Sequence, residues 1–324
     1  MSDPSDWAFP EDLQPDPRRQ RFDLDAALAS VVAVRADIPG DAFTASTLGT
    51  ERAGSGVLIR AGGLVLTIGY LITEARSIWL TGADGRVVPG HAIGQDQATG
   101  FGLVQTLGRL DLPAIELGSA AGLAVGDDVV VMGHGGRAHA LQSKVIAKRE
   151  FAGYWEYLLD EALFTAPAHP QWGGTAVVDA DGRLVGIGSL LVDERVGRKS
   201  VQGNMIVPID LLPPILEDML ARGASRAPAR PWLGLYAGET KQNLLVGGLA
   251  KGGPADKAGL QEGDLILEVA DSPVKDLARF FRKVWSLGPA GTEIPLTIQR
   301  RNATLRVHVA SSERSRFLKQ PSLH

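Results

Sequence analysis

The chain has 324 residues, 33 basic against 37 acidic side chains and a formal net charge of -4. That is room for more than one hydrophobic core, since single cores stop growing near ~250 residues, and there is no long run of one sign to suit nucleic acid or an anionic membrane. Cysteine is absent, which excludes disulfides, thiolate nucleophiles and cysteine-ligated zinc and leaves packing to hold the fold.

The chain starts "MSDPSDWAFPEDLQPDPRRQ", acidic and proline-bearing, without the basic start and apolar core of a secretory leader. No later run approaches the ~20 apolar residues of a membrane span. These features predict a cytoplasmic protein (periplasmic if the start is truncated) with no membrane insertion. Residues 1–22 form an arm whose Trp7 and Phe9 either fray or dock on a neighbouring subunit. "FDLDAALASVVAVR" reads as a short helix running into a strand. From Gly54 to Pro208 follow short apolar runs between glycine-rich turns: "SGVLI", "GLVLTI", "SIWLTGADGRVVPGHAI", "GLVQTL", "DDVVVMG", "TAVVDADGRLVGIGSLL" and "GNMIVPI". Their spacing and two D-G turns predict antiparallel hairpins in a barrel or sandwich, with too little helix for a doubly wound sheet. At residues 210–223 the period becomes helical, starting at Pro213-Pro214 and ending at Gly223. The first domain is therefore placed at 23–222, a linker at 223–230, a second domain at 231–311 and a tail at 312–324. The second domain has five strand-like runs and one amphipathic helix, "VKDLARFFRKVWSLG", with Leu277, Phe280, Phe281, Val284 and Trp285 along one stripe. Lys241, Lys275, Arg279 and Arg282 read as solvated charges.

Several segments carry a resemblance: "GSGVLI", "LTIGYLITEA", "IELGSAAGLAVGDDVVVMG", "GGTAVVDADGRLVGI", "GNMIVPIDLLPPILEDML" and "PWLGLY". In this order they are similar to the HtrA (Deg) family, a trypsin-like serine protease domain followed by a PDZ domain. The resemblance implies a mainly β fold, a chymotrypsin-like double antiparallel barrel and then PDZ. It also implies a catalytic histidine, aspartate and serine at positions held here by Tyr70, Gly100 and Trp172, and an oxyanion N–H at Pro170. A phenol of ordinary pKa ~10 is a poor base at neutral pH, Gly100 has nothing to orient one, an indole is not a nucleophile, and proline has no N–H. The resulting expectation is a pseudoprotease with no catalytic residues, in which Tyr70 and Trp172 either fill the old cleft or form an aromatic platform for a partner.

Other chemistry has weak support in the sequence alone. His91, His134, His139 and His169 show no zinc-ligand pattern, and Ser55, Ser119, Ser143 and Ser189 are nucleophiles only by residue type. No metal and no cofactor are predicted. In a PDZ domain the backbone of Trp232-Leu233-Gly234-Leu235 would hold a partner's terminal carboxylate, with Leu277 and Phe281 lining an apolar pocket. The leading expectation is a non-catalytic scaffold or adaptor that binds a protein or peptide partner through a free apolar C-terminus. Its alternatives are a regulatory or structural subunit of an active HtrA-like assembly and a serine endopeptidase with relocated catalytic residues. A homo-oligomer, a trimer in particular, is expected through the aromatic arm.

Overall fold

The computed structural model describes residues 7–197, 199–240 and 243–320; residues 1–6 of the arm and Lys241 lie outside them. The chain divides into two compact units, one made of Met1–Arg149, Glu161–Ser225 and Lys319–His324, the other of Glu150–Asp160 and Arg226–Leu318.

The first unit begins with helix α1 (Leu24–Ala29), started by Asp23, whose carboxylate accepts from the Ala26 N–H. Strands β1 (Val31–Asp37), β2 (Glu51–Arg60), β3 (Leu64–Ile68), β4 (Ser77–Thr81), β5 (Val87–Gln95) and β6 (Phe101–Thr106) close into an antiparallel barrel in the order β1-β2-β3-β6-β5-β4. A short helix α2 (Ala45–Leu48) joins β1 to β2. Val34, Leu58, Leu66, Leu80 and Leu103 are wholly buried inside, which is why these runs read as apolar in the sequence.

A second six-stranded sheet comprises β7 (Asp128–Met132), β8 (Ala140–Gly153), β9 (Tyr157–Ala166), β10 (Ala176–Val178), β11 (Leu184–Val196) and β12 (Lys199–Pro208), ordered β10-β11-β12-β9-β8-β7. Val129, Val131, Leu141, Val145, Leu163, Val177, Val185 and Ile206 form its core. Helix α3 (Pro213–Arg222) follows and ends at Gly223, which takes φ 74° and donates its N–H to the Met219 carbonyl. β8 and β9, the two longest runs missing from the strand pattern read in the sequence, are joined through residues 154–156.

The N-terminal aromatics make their contacts within the chain. The Phe9 N–H donates to the Ala138 carbonyl, Trp7 meets His139 and His169 edge-on at 4.6 and 5.5 Å, and Phe9 meets His169 at 5.2 Å. His169 is completely buried. Its Nδ1 accepts from the Gln171 N–H at 3.1 Å and its Nε2 faces the His139 carbonyl at 3.0 Å, so this network assigns the proton to Nε2 of a neutral ring.

In the second unit, β13 (Leu235–Glu239), β14 (Leu244–Leu249), β15 (Leu265–Val269), β17 (Glu293–Arg300) and β18 (Ala303–Ala310) form an antiparallel sheet, and the two-residue β16 (Ser272–Pro273) pairs with β15. Helix α4 (Pro254–Lys257) starts at its proline, and α5 (Leu277–Ser286) is capped by Asp276, which accepts from the Arg279 N–H. Leu277, Phe280, Phe281 and Val284 of α5 all sit in the unit's core. Asp264, 1% exposed, receives both Nε and an Nη of Arg300 at 2.7 Å and the Gln261 N–H at 2.8 Å. Arg282 is paired rather than solvated: its guanidinium reaches Glu150 and Asp160, each at 2.5 Å.

Two consequences are measurable. Burial, the largest cause, pushes the His169 ring down to about 4 from 6.5. Between pH 6.5 and about 4 the unfolded chain therefore takes up a proton that the folded chain refuses, and stability is lost as pH falls through that window. Chemical denaturation should show His169→Gln losing less stability than the parent between pH 7 and 4, the difference being about 3 kcal/mol; parallel curves would contradict this. Asp264→Ala removes the carboxylate shared by Arg300 and the Gln261 N–H and should cost about 2 kcal/mol in the unfolding of the second unit.

Candidate functional site

The positions expected to hold a triad do converge. Tyr70 lies in the 3-10 turn after β3, Gly100 in the turn before β6, and Trp172 in the turn between β9 and β10. Gly100, at φ 85°, accepts the Gly69 N–H at 2.7 Å, so its backbone supports the turn that carries Tyr70. The Tyr70 hydroxyl donates to the Ser189 carbonyl at 2.9 Å. Burial raises the phenol's pKa well above its ordinary value, opposed by a hydrogen bond with the Trp172 side chain. A methyl group placed on Gly173 would lie 2.8 Å from the same hydroxyl, so the phenol fills the space beside the Gly173-Gly174 turn. Pro170 is exposed, and the N–H that follows it, on Gln171, is already used by His169. The Arg52 guanidinium fixes this region from below by donating to the Tyr70 and Thr73 carbonyls.

A serine and a histidine meet beside this turn. Ser55 of β2 is completely buried, its N–H donates to the Gly173 carbonyl at 2.8 Å, and its Oγ lies 3.2 Å from Nδ1 of His134. The His134 N–H donates to the same Oγ at 3.1 Å, and the hydroxyl keeps its own proton available for a second partner. Burial first, then the charge of His139, lowers the His134 pKa, which favours the neutral ring. The other serines are engaged differently: Ser119 with Asp210 and Ser143 with the Pro167 carbonyl. His91 pairs within the barrel as a β5 residue opposite Gln105.

The PDZ-like unit has a carboxylate in its glycine loop, and that carboxylate is its own. The N–H groups of Leu233, Gly234 and Leu235 all donate to Glu156, at distances of 2.7 to 3.2 Å. Gly234 takes φ 72°, the conformation that turns these donors toward one point. Glu156 is 7% exposed; burial pushes its carboxyl up to about 7, with the three N–H bonds and Arg314 acting in the opposite direction. Trp232, Leu233, Leu235, Leu277 and Phe281 are themselves buried. Sequence reasoning missed Glu156. The available signal was "GYWE", a glycine and two aromatics breaking the apolar alternation between what proved to be β8 and β9.

Comparison with known proteins agrees with this division. Residues 54–187 match the trypsin-like peptidase domain and residues 245–300 the PDZ domain, a protein- and peptide-binding module. A probable periplasmic serine endoprotease, DegP-like, of Hahella chejuensis is 26% identical over 230 residues, covering 67% of this chain and 48% of that protein. The serine protease PepD of Mycobacterium tuberculosis is 27% identical, covering 81% of this chain and 61% of that protein. The chain thus spans about half to three-fifths of these relatives' length. The solved HtrA-type protease AlgW with decapeptide shares the fold, at 22% identity, a TM-score of 0.53 and coverage of 92% of this chain and 99% of that one.

These relatives correct two expectations. The non-catalytic scaffold, or pseudoprotease, is overturned because the relatives are named serine proteases, several of them endoproteases. Tyr70, Gly100, Pro170 and Trp172 pointed to an inactive site, whereas Ser55 meets His134 across 79 residues only in the folded chain. The cytoplasmic location is overturned because several relatives are named periplasmic. The chain carries a trypsin-like protease domain and a PDZ domain and is homologous to the HtrA/DegP-type serine proteases.

Proposed function

We propose that this protein is a periplasmic serine endopeptidase of the HtrA kind whose chemistry has moved from the inherited triad to Ser55 and His134, while its PDZ unit recruits protein or peptide partners. The carrying observation is the 3.2 Å contact between Ser55 Oγ and His134 Nδ1, supported by the named activity of the relatives. In the acylation step Oγ forms a bond to the scissile carbonyl carbon as its proton passes to Nδ1. The tetrahedral species then expels the amine, which takes that proton, and water hydrolyses the resulting ester by the same exchange. Because Ser55 is buried, the groups packed over Oγ must open for a substrate carbonyl to reach it while His134 keeps its contact. The same proposal takes the second sheet as the second barrel of a chymotrypsin-like pair and keeps the boundaries 23–222 and 231–311. It also retains a homo-oligomer, although Trp7 and Phe9 find partners within one chain.

One observation favours a second reading, a regulatory subunit working beside active HtrA-like subunits: the Tyr70 phenol occupies the space next to Gly173. The deciding experiment is labelling with a fluorophosphonate alongside hydrolysis of unfolded casein. The proposal expects a label on Ser55 that disappears in Ser55→Ala, with turnover reduced by about 10²-fold or more in His134→Gln and unaffected by Trp172→Ser. A protein that neither labels nor cleaves would overturn it in favour of the regulatory subunit, and labelling that survives Ser55→Ala would place the nucleophile elsewhere.

A further inference from the structure

A peptide captured by a PDZ domain presents a terminal carboxylate to loop N–H groups, a backbone to a strand and an apolar side chain to a pocket. The hairpin tip Glu150–Asp160 presents all three to its own unit. Glu156 supplies the carboxylate to Leu233, Gly234 and Leu235. The Tyr154 carbonyl accepts the Ala237 N–H at 3.2 Å, and Tyr154 packs edge-on to Tyr236 at 6.2 Å. Leu158 is 7% exposed and joins the core that contains Leu233, Leu277 and Phe281. At the base of the tip, Arg282 of α5 bridges Glu150 and Asp160.

We propose that this hairpin is a built-in competitor of C-terminal peptides, with Glu156 in the place of the terminal carboxylate. The inference rests on the peptide-capture reading of the PDZ unit and is independent of Ser55. Three N–H donors can satisfy one carboxylate, so an incoming C-terminus cannot dock until Glu156 leaves them. The device is specific to an acidic residue at this point. Glu156 has φ 60°, a left-handed conformation that glycine adopts freely but most side chains avoid, so the backbone is held in an unfavourable shape that places the carboxylate in the loop. Arg282 sets how firmly the tip stays down, because it ties both strands of the hairpin to the helix that borders the pocket.

The test uses the full chain at pH 8, where the carboxyl is ionised, and a fluorescein-labelled hexapeptide ending in valine with a free carboxylate, followed by fluorescence polarisation. Glu156→Gly keeps the backbone conformation and removes the carboxylate. It should bind the peptide at least tenfold more tightly than the parent, and the amidated peptide should gain nothing. Arg282→Ala, which leaves Glu156 in place and loosens the tip, should bind several-fold more tightly and guards against a folding defect particular to position 156. Equal affinity in parent and both variants would overturn the competitor while leaving peptide capture intact. Absence of binding in all three would overturn capture and the competitor with it. Neither result bears on hydrolysis, which is read separately.

Discussion

The first unit depends on a close backbone approach between β2 and the turn after Trp172. Ser55 donates its N–H to the Gly173 carbonyl at 2.8 Å, and its own carbonyl accepts the Thr67 hydroxyl at 2.7 Å. A side chain on Gly174 would start 1.8 Å from that carbonyl, and Gly174 sits at φ 77°, so both space and conformation demand glycine there. This contact links the barrel to the second sheet and fixes the distance from Ser55 to the loop that carries His134. The missing side chain at Gly173 leaves the space that the Tyr70 hydroxyl occupies. This backbone arrangement belongs to the glycines and strand ends rather than to the side chains at 70, 100 and 172.

Both sites therefore follow from one economy of polar groups. Buried N–H groups require acceptors, and in each unit a loop of such groups has recruited a partner from elsewhere in its own chain. In the first unit the His134 N–H takes Ser55 Oγ, beside an imidazole whose neutral form burial favours. In the second the three N–H groups of the glycine loop take Glu156. An empty PDZ loop would leave those donors to water; here they hold a carboxylate that is covalently tethered and so present at high effective concentration. A free peptide has to outcompete that tether, which turns a simple binding groove into one with a threshold.

Much of the fold was legible in the sequence because the signals were local. The runs from Ser55 to Ile68 showed their burial directly, Pro213-Pro214 and Gly223 marked both ends of α3, and the stripe from Leu277 to Trp285 marked α5. The pieces that escaped were non-local. β8 and β9 are long strands interrupted by lysine, arginine and glutamate, and their charged residues concealed the alternation. Glu156 reads as an ordinary surface acid until the hairpin places it beside residues 233–235, 77 to 79 positions away. Ser55 and His134 were both visible as residue types, yet only the closure of the barrel against the second sheet makes them neighbours. Arg282 looked solvated because its partners lie more than a hundred residues upstream.

Whether Ser55 is a nucleophile served by His134 is decided by a crystal structure of the protein soaked with a peptidyl boronate. A covalent bond from Ser55 Oγ to boron, with His134 within hydrogen-bond distance of the tetrahedral adduct, is the expected result. Electron density showing Ser55 unmodified and still buried, with the boronate absent from the space beside Gly173, would contradict it.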